Sequence, residues 1–171
     1  MAQRLGPCRI AIVPQFDDPA RASEWSHQGD ILDMAVAALS VEEHDVALEL
    51  LTCLGQALWE RLSSTELEKY WKLIKAEMDE GVTGEIDEDA LAAKQLLIAD
   101  HDHAASPQYL EDYGRASFAG TAAEYVHCMW HDVNIRTGPE HLTAEHLRRR
   151  LKLLARWFPP NPGYRLFARK A

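Results

Sequence analysis

The sequence predicts an all-α protein, a single-domain bundle of about six helices spanning residues 1–171. Three observations predict it. Two capping boxes, Ser40 with Glu43 and Ser63 with Glu66, each stand just ahead of a long apolar pattern. Apolar residues after position 40 recur at three- and four-residue spacing, the signature of a helix that buries one stripe. Glycine and proline fall between these segments, where helices stop.

Taken in order, residues 1–17 read as an extended N-terminal segment in which "CRIAIVPQF" forms a short strand. "DPARASEWSHQG" offers Asp18 as a cap, Pro19 at the first helical position and Gly29 as a stop, which predicts a short first helix; Asp30 then caps a second over "ILDMAVAAL". From Ser40 a long helix runs to about residue 62, and Val46, Leu50, Leu51, Cys53, Leu54, Leu58 and Trp59 spread over more than half its circumference. That breadth makes it the predicted central helix, buried on more than one side. Ser63 opens the next, with Leu67, Tyr70, Trp71, Ile74 and Met78 on one face and Gly81 as its end. Asp87 starts a helix that lasts to "ADHDH", and Ser106 and Pro107 begin a helical region, bent near Gly114 or Gly120, that reaches about residue 135. Thr143 opens the last helix and "PPNPG" closes it. The tail, 159–171, is either a strand beside the N-terminal one or a docked end.

The composition, 47% hydrophobic and 26% charged over 171 residues, excludes a disordered chain and allows one sizeable core. "IAIV" is too short for a signal peptide or a membrane span, which leads to the expectation of a soluble, cytoplasmic protein with no membrane partner. Cys8, Cys53 and Cys128 make no Cys-x-x-Cys pair, so neither a disulfide framework nor a thiolate zinc site is indicated. The net charge of −9 is unevenly spread: residues 136–171 hold nine Lys and Arg against two Glu, and residues 1–135 hold nine against 25 Asp and Glu. Such acidity disfavours nucleic acid as a partner.

Two places carry candidate chemistry. In "EYVHCMWHD", Glu124, His127 and His131 occupy positions i, i+3 and i+7, so three donors suited to zinc or iron share one side of a helix. Ala122, Val126, Met129 and Val133 mark the opposite side as the core, which predicts that the three polar groups face solvent. Glu24/His27 repeats the Glu-x-x-His spacing of the di-iron carboxylate bundles, but the lone Glu those sites need on an earlier helix has no place before residue 18. The His131–Asp132 pair resembles the ligand pair of the HD-type metal-dependent phosphohydrolases. Their later Asp ligand has no counterpart, since no Asp follows residue 132, and Glu140 or Glu145 would have to replace it. His101 and His103 could add donors only from a loop, because two residues apart on a helix they diverge. "DEGVTGEIDEDA" resembles an EF-hand loop in Asp79, Gly84 and Ile86, yet Gly81 and Ala90 stand where two ligands belong, so a turn and a helix start are expected. Cys128 makes no nucleophile pair with its neighbours, as adjacent helix positions point about 100° apart.

The second place is "TAEHLRRRLKLLARWF". Leu147, Leu151, Leu154 and Phe158 form its apolar stripe, Arg148, Arg149, Lys152 and Arg156 gather opposite, and Arg150 flanks the stripe. One face docks and the other is cationic. The expected function is therefore a non-enzymatic interaction or regulatory module. Its acidic body carries a basic C-terminal helix that binds an acidic protein surface or a second copy, with no cofactor. The competing expectation is a metal-dependent enzyme holding zinc or iron on Glu124, His127 and His131.

Overall fold

The computed structural model describes residues 1–38, 43–99, 107–129, 138–164 and 166. Its elements run α1 (Ala2–Leu5), β1 (Cys8–Val13), β2 (Ser23–Gln28), β3 (Ile31–Ala37), α2 (Glu43–Trp59), α3 (Ser64–Asp79), α4 (Glu88–Ala99), α5 (Pro107–His127) and α6 (Ala144–Trp157). The fold is α+β rather than all-α: a three-stranded mixed sheet of order β1-β3-β2 stands against the helices.

The correction lies in residues 18–38. Where two short helices were expected, the chain makes a hairpin. Ser23, Trp25 and His27 alternate inward against Glu24, Ser26 and Gln28 outward, and Leu32, Met34 and Val36 do the same on β3. Gly29 and Asp30 form the two-residue connection. Gly29 takes φ 63°, a conformation it reaches without steric penalty and that tight hairpins require. The expected strand over "CRIAIVPQF" is β1, which pairs parallel with β3 from Cys8 opposite Leu32 to Val13 opposite Ala37. Its Ile10 and Ile12 are exposed at the sheet edge.

Later elements follow their end signals closely. Ser63 and Glu66 form both reciprocal bonds of a capping box at α3, and Gly81, with φ 79°, follows its end. Asp87 Oδ1 accepts the Ala90 N–H at 2.8 Å and so caps α4. The expected cap of α2 at Ser40, the His101/His103 pair, Trp130 and His131–Asp132, and nearly all of the C-terminal tail lie outside the described residues.

The most enclosed helix is α5, not α2. Ten residues of α5 from Tyr113 to Tyr125 are buried, many of them small: Gly114, Ser117, Ala119, Gly120, Thr121, Ala122 and Ala123. Small side chains all round a helix let neighbours approach from every side, and α2 does so at Gly55, where a Cβ would stand 2.7 Å from the Ala119 carbonyl oxygen. On its other side α2 covers the sheet, with Trp25 Nε1 donating to Gln56 Oε1 at 2.8 Å. Trp59, Tyr70, Trp71 and Phe118 meet mostly edge to face in the core between α2, α3 and α5. Among the described residues, no helix is long and apolar enough to cross a membrane.

Candidate binding sites

Both candidate surfaces are built on a buried ion network. The apolar stripe of α6, Leu147, Leu151, Leu154 and the following Phe158, docks as expected, but Arg150 goes in with it and is wholly buried. Its guanidinium meets Glu77 of α3 at 2.6 Å, Glu85 at 2.7 Å and the Ser117 hydroxyl of α5 at 2.8 Å. Lys94 of α4 reaches the same Glu85 at 3.1 Å, and the Tyr113 hydroxyl donates to it at 2.6 Å. Two acids thus face two bases without access to water, and four helices are tied at one point. Burial pushes the Glu85 carboxyl up, but Arg150 and Lys94 outweigh it and hold the group down at about 2.

The segment that carries Glu85 is pinned from outside. Glu85 N–H donates to the Glu140 carbonyl and Leu142 N–H to the Glu85 carbonyl, so His141 lies beside Glu85. Gly84 is pressed so closely on the His141 backbone that a Cβ would collide with it. On the far side of this segment a cleft of about 330 Å³ opens towards α2 and α5. Leu48 and Thr52 of α2 form one wall and Glu124 and His127 of α5 another; Glu85, Asp87, Glu88 and His141 add to the polar lining.

Glu124 and His127 therefore share one side of α5, where both are partly covered and partly exposed. Their side chains retain 15% and 24% of their exposure, because α2 and the 85–88 segment form a second layer over them. Val126 and Met129 pack against the core on the other side. Glu124 Oε1 accepts the Cys128 thiol at 3.1 Å, and Oε2 lies 3.8 Å from His127 Nδ1. Burial, together with Glu124, pushes the Cys128 thiol far up, which leaves it a proton donor rather than a nucleophile. His131, the third donor of the sequence motif, lies outside the described residues, and among those described no three His, Cys, Asp or Glu side chains converge as a metal site would require.

Asp87 and His141 join this cleft without having been singled out as site residues from the sequence. Asp87 carried a visible signal, its capping position, but a cap is expected to spend its carboxylate on the helix end. Here only Oδ1 does so; Oδ2 lies against Gly120, where any Cβ would collide with it. Burial raises this carboxyl from its ordinary 3.8 to about 6, with repulsion from Asp89 and Glu85 adding to the rise.

The cationic face of α6 divides in two. Arg149 is engaged within the molecule, 2.8 Å from Glu80 of α3 and 2.7 Å from Glu145, and His146 meets the same Glu80 at 3.0 Å. Arg148, Lys152 and Arg156 are exposed and make no ion pair among the described residues. No protein family, curated protein or solved structure matches this chain.

Proposed function

We propose that this protein is a non-enzymatic interaction module that presents the outer face of α6 to an acidic protein surface. The observation that carries the reading is the rigid display of Arg148, Lys152 and Arg156. The Leu147/Leu151/Leu154 stripe and the buried Arg150 fix the helix from beneath, so these three cations are held in one row one to two turns apart. The helix that carries them need not fold on binding, so the entropy lost is confined to the side chains themselves. On a chain of net charge −9, a local cationic row also orients an approaching acidic partner, because the rest of the surface repels it.

Arg149 belongs to the fold by this reading, through Glu80 and Glu145. The test separates the two roles. The full chain should be retained on immobilised poly-L-glutamate at low salt and on immobilised duplex DNA only weakly, and Arg148→Glu, Lys152→Glu, Arg156→Glu together should abolish retention on the acidic polymer. Retention that survives the triple change would remove this function. Stronger retention on DNA that the triple change abolishes would replace the protein partner with nucleic acid.

A further inference from the structure

We propose that the cleft between α2, α5 and the 85–88 segment binds a small organic cation, an ammonium group carried on a short apolar body. Its residues lie apart from the outer face of α6, so the two proposals stand or fall separately.

The lining determines the charge of the ligand. Asp87, Glu88 and Glu124 border the cleft, and among the described residues no Lys or Arg does. Glu85 also borders it, but both of its oxygens are already held by Arg150, Lys94 and Tyr113, so it offers little to a newcomer. The other acids keep capacity. Asp87 directs Oδ1 to the cap of α4 and leaves Oδ2 on the Gly120 side, while Glu124 receives a weak thiol donor on one oxygen. Gly120 matters here because any side chain would occupy the space that this Oδ2 takes. Burial raises the Asp87 carboxyl, and an ammonium at Oδ2 would favour its charged form.

The walls determine the body of the ligand. Leu48, Ile86, Ala123, Leu142 and Leu147 supply apolar surface around the acids. A bare ion would leave those walls unused, whereas an alkyl or cyclic amine covers them and sets its charge among the carboxylates. The volume of about 330 Å³ lies at the lower end of the range for small-molecule sites. Thr52 and the imidazoles of His127 and His141 add polar contacts around the same space.

Titration calorimetry on the full chain at neutral pH tests this with cyclohexylamine and 1,4-diaminobutane as probes and cyclohexanol as the uncharged match. At least one amine should bind saturably, one per chain, and cyclohexanol should not. Asp87→Asn with Glu124→Gln, both of closely similar size, should weaken the amine about tenfold, since each removes a charge-assisted hydrogen bond. Asn still caps a helix, and Glu124→Gln alone supplies the same comparison if the double variant unfolds. The assignment is overturned if neither amine binds, if cyclohexanol binds as well as the amines, or if the charge-removing variants bind unchanged. Stoichiometric Zn²⁺ binding that expels the amine and is lost in His127→Ala would equally overturn it, in favour of a metal ion.

Discussion

Glu85 and Asp87 are two residues apart and meet opposite surroundings. Glu85 turns inward, finds Arg150, Lys94 and Tyr113, and is held ionised at about 2. Asp87 borders the cleft, meets one backbone N–H, and is held up at about 6 because burial and the neighbouring acids outweigh the pull of Arg150. The same contrast runs along α6, where Arg150 is closed inside the molecule while Arg148, Lys152 and Arg156 are left outside. Glu85, Lys94 and Arg150 are paired across elements inside the fold, whereas Asp87 at the cleft and Arg148, Lys152 and Arg156 on the outer face of α6 stand where a ligand or partner can reach them.

The sharpest way to break this comparison is to empty its closed side. Arg150→Met would leave Glu77 buried without its cation and Glu85 with Lys94 alone, and should lower unfolding stability by about 3–5 kcal/mol in urea titrations. A loss below about 1 kcal/mol would mean that the network contributes little beyond packing.

The two acids should then give opposite pH signatures. A carboxyl whose folded value lies below its ordinary 4.5 contributes stability above that value and loses it as pH falls towards 2, which is the behaviour expected of Glu85. Asp87, raised from 3.8 to about 6, does the reverse: its contribution is fully present below 3.8 and is lost as pH rises through 6. Asp87→Asn keeps a capping side chain and removes that penalty, so it should stabilise the protein by about 1–2 kcal/mol at pH 8 and by almost nothing at pH 3.5. Equal effects at both pH values would show that Asp87 is an ordinary exposed cap.

Smaller effects sharpen the outer half. Arg149→Ala should lower stability only slightly, and only at low salt, because its pairs with Glu80 and Glu145 are exposed and screened. Changing Arg148, Lys152 and Arg156 to Glu should move stability by less than about 0.5 kcal/mol.

Much of the helical part was legible from local signals. The Ser63/Glu66 box, Gly81, the Asp87 cap and the leucine stripe of α6 act through residues a few positions apart. The hairpin was legible too, but its signals are ambiguous: Gly29–Asp30 serves as a helix stop followed by a cap or as a two-residue turn. The period-two alternation of Ser23, Trp25 and His27 decides for the turn. Periodicity alone could not identify α5 as the enclosed helix, since its small residues carry little hydrophobic contrast from side to side. Nor could it find the second layer that turns Glu124 and His127 into a cleft wall, or the partners of Arg150, which lie 65 and 73 residues away. Flanking the stripe was the only local sign of that burial.

By this reading the outer cations of α6 meet the partner while the buried Arg150 holds the helix. A fluorescein-labelled decaglutamate peptide, titrated by anisotropy, tests it when binding and urea unfolding are measured on the same samples. The account predicts binding to the wild type that falls as salt rises from about 50 to about 200 mM, and an Arg148→Glu, Lys152→Glu, Arg156→Glu variant at least about tenfold weaker in binding yet equally stable. Unchanged binding in that variant, or binding lost only together with stability, would contradict it.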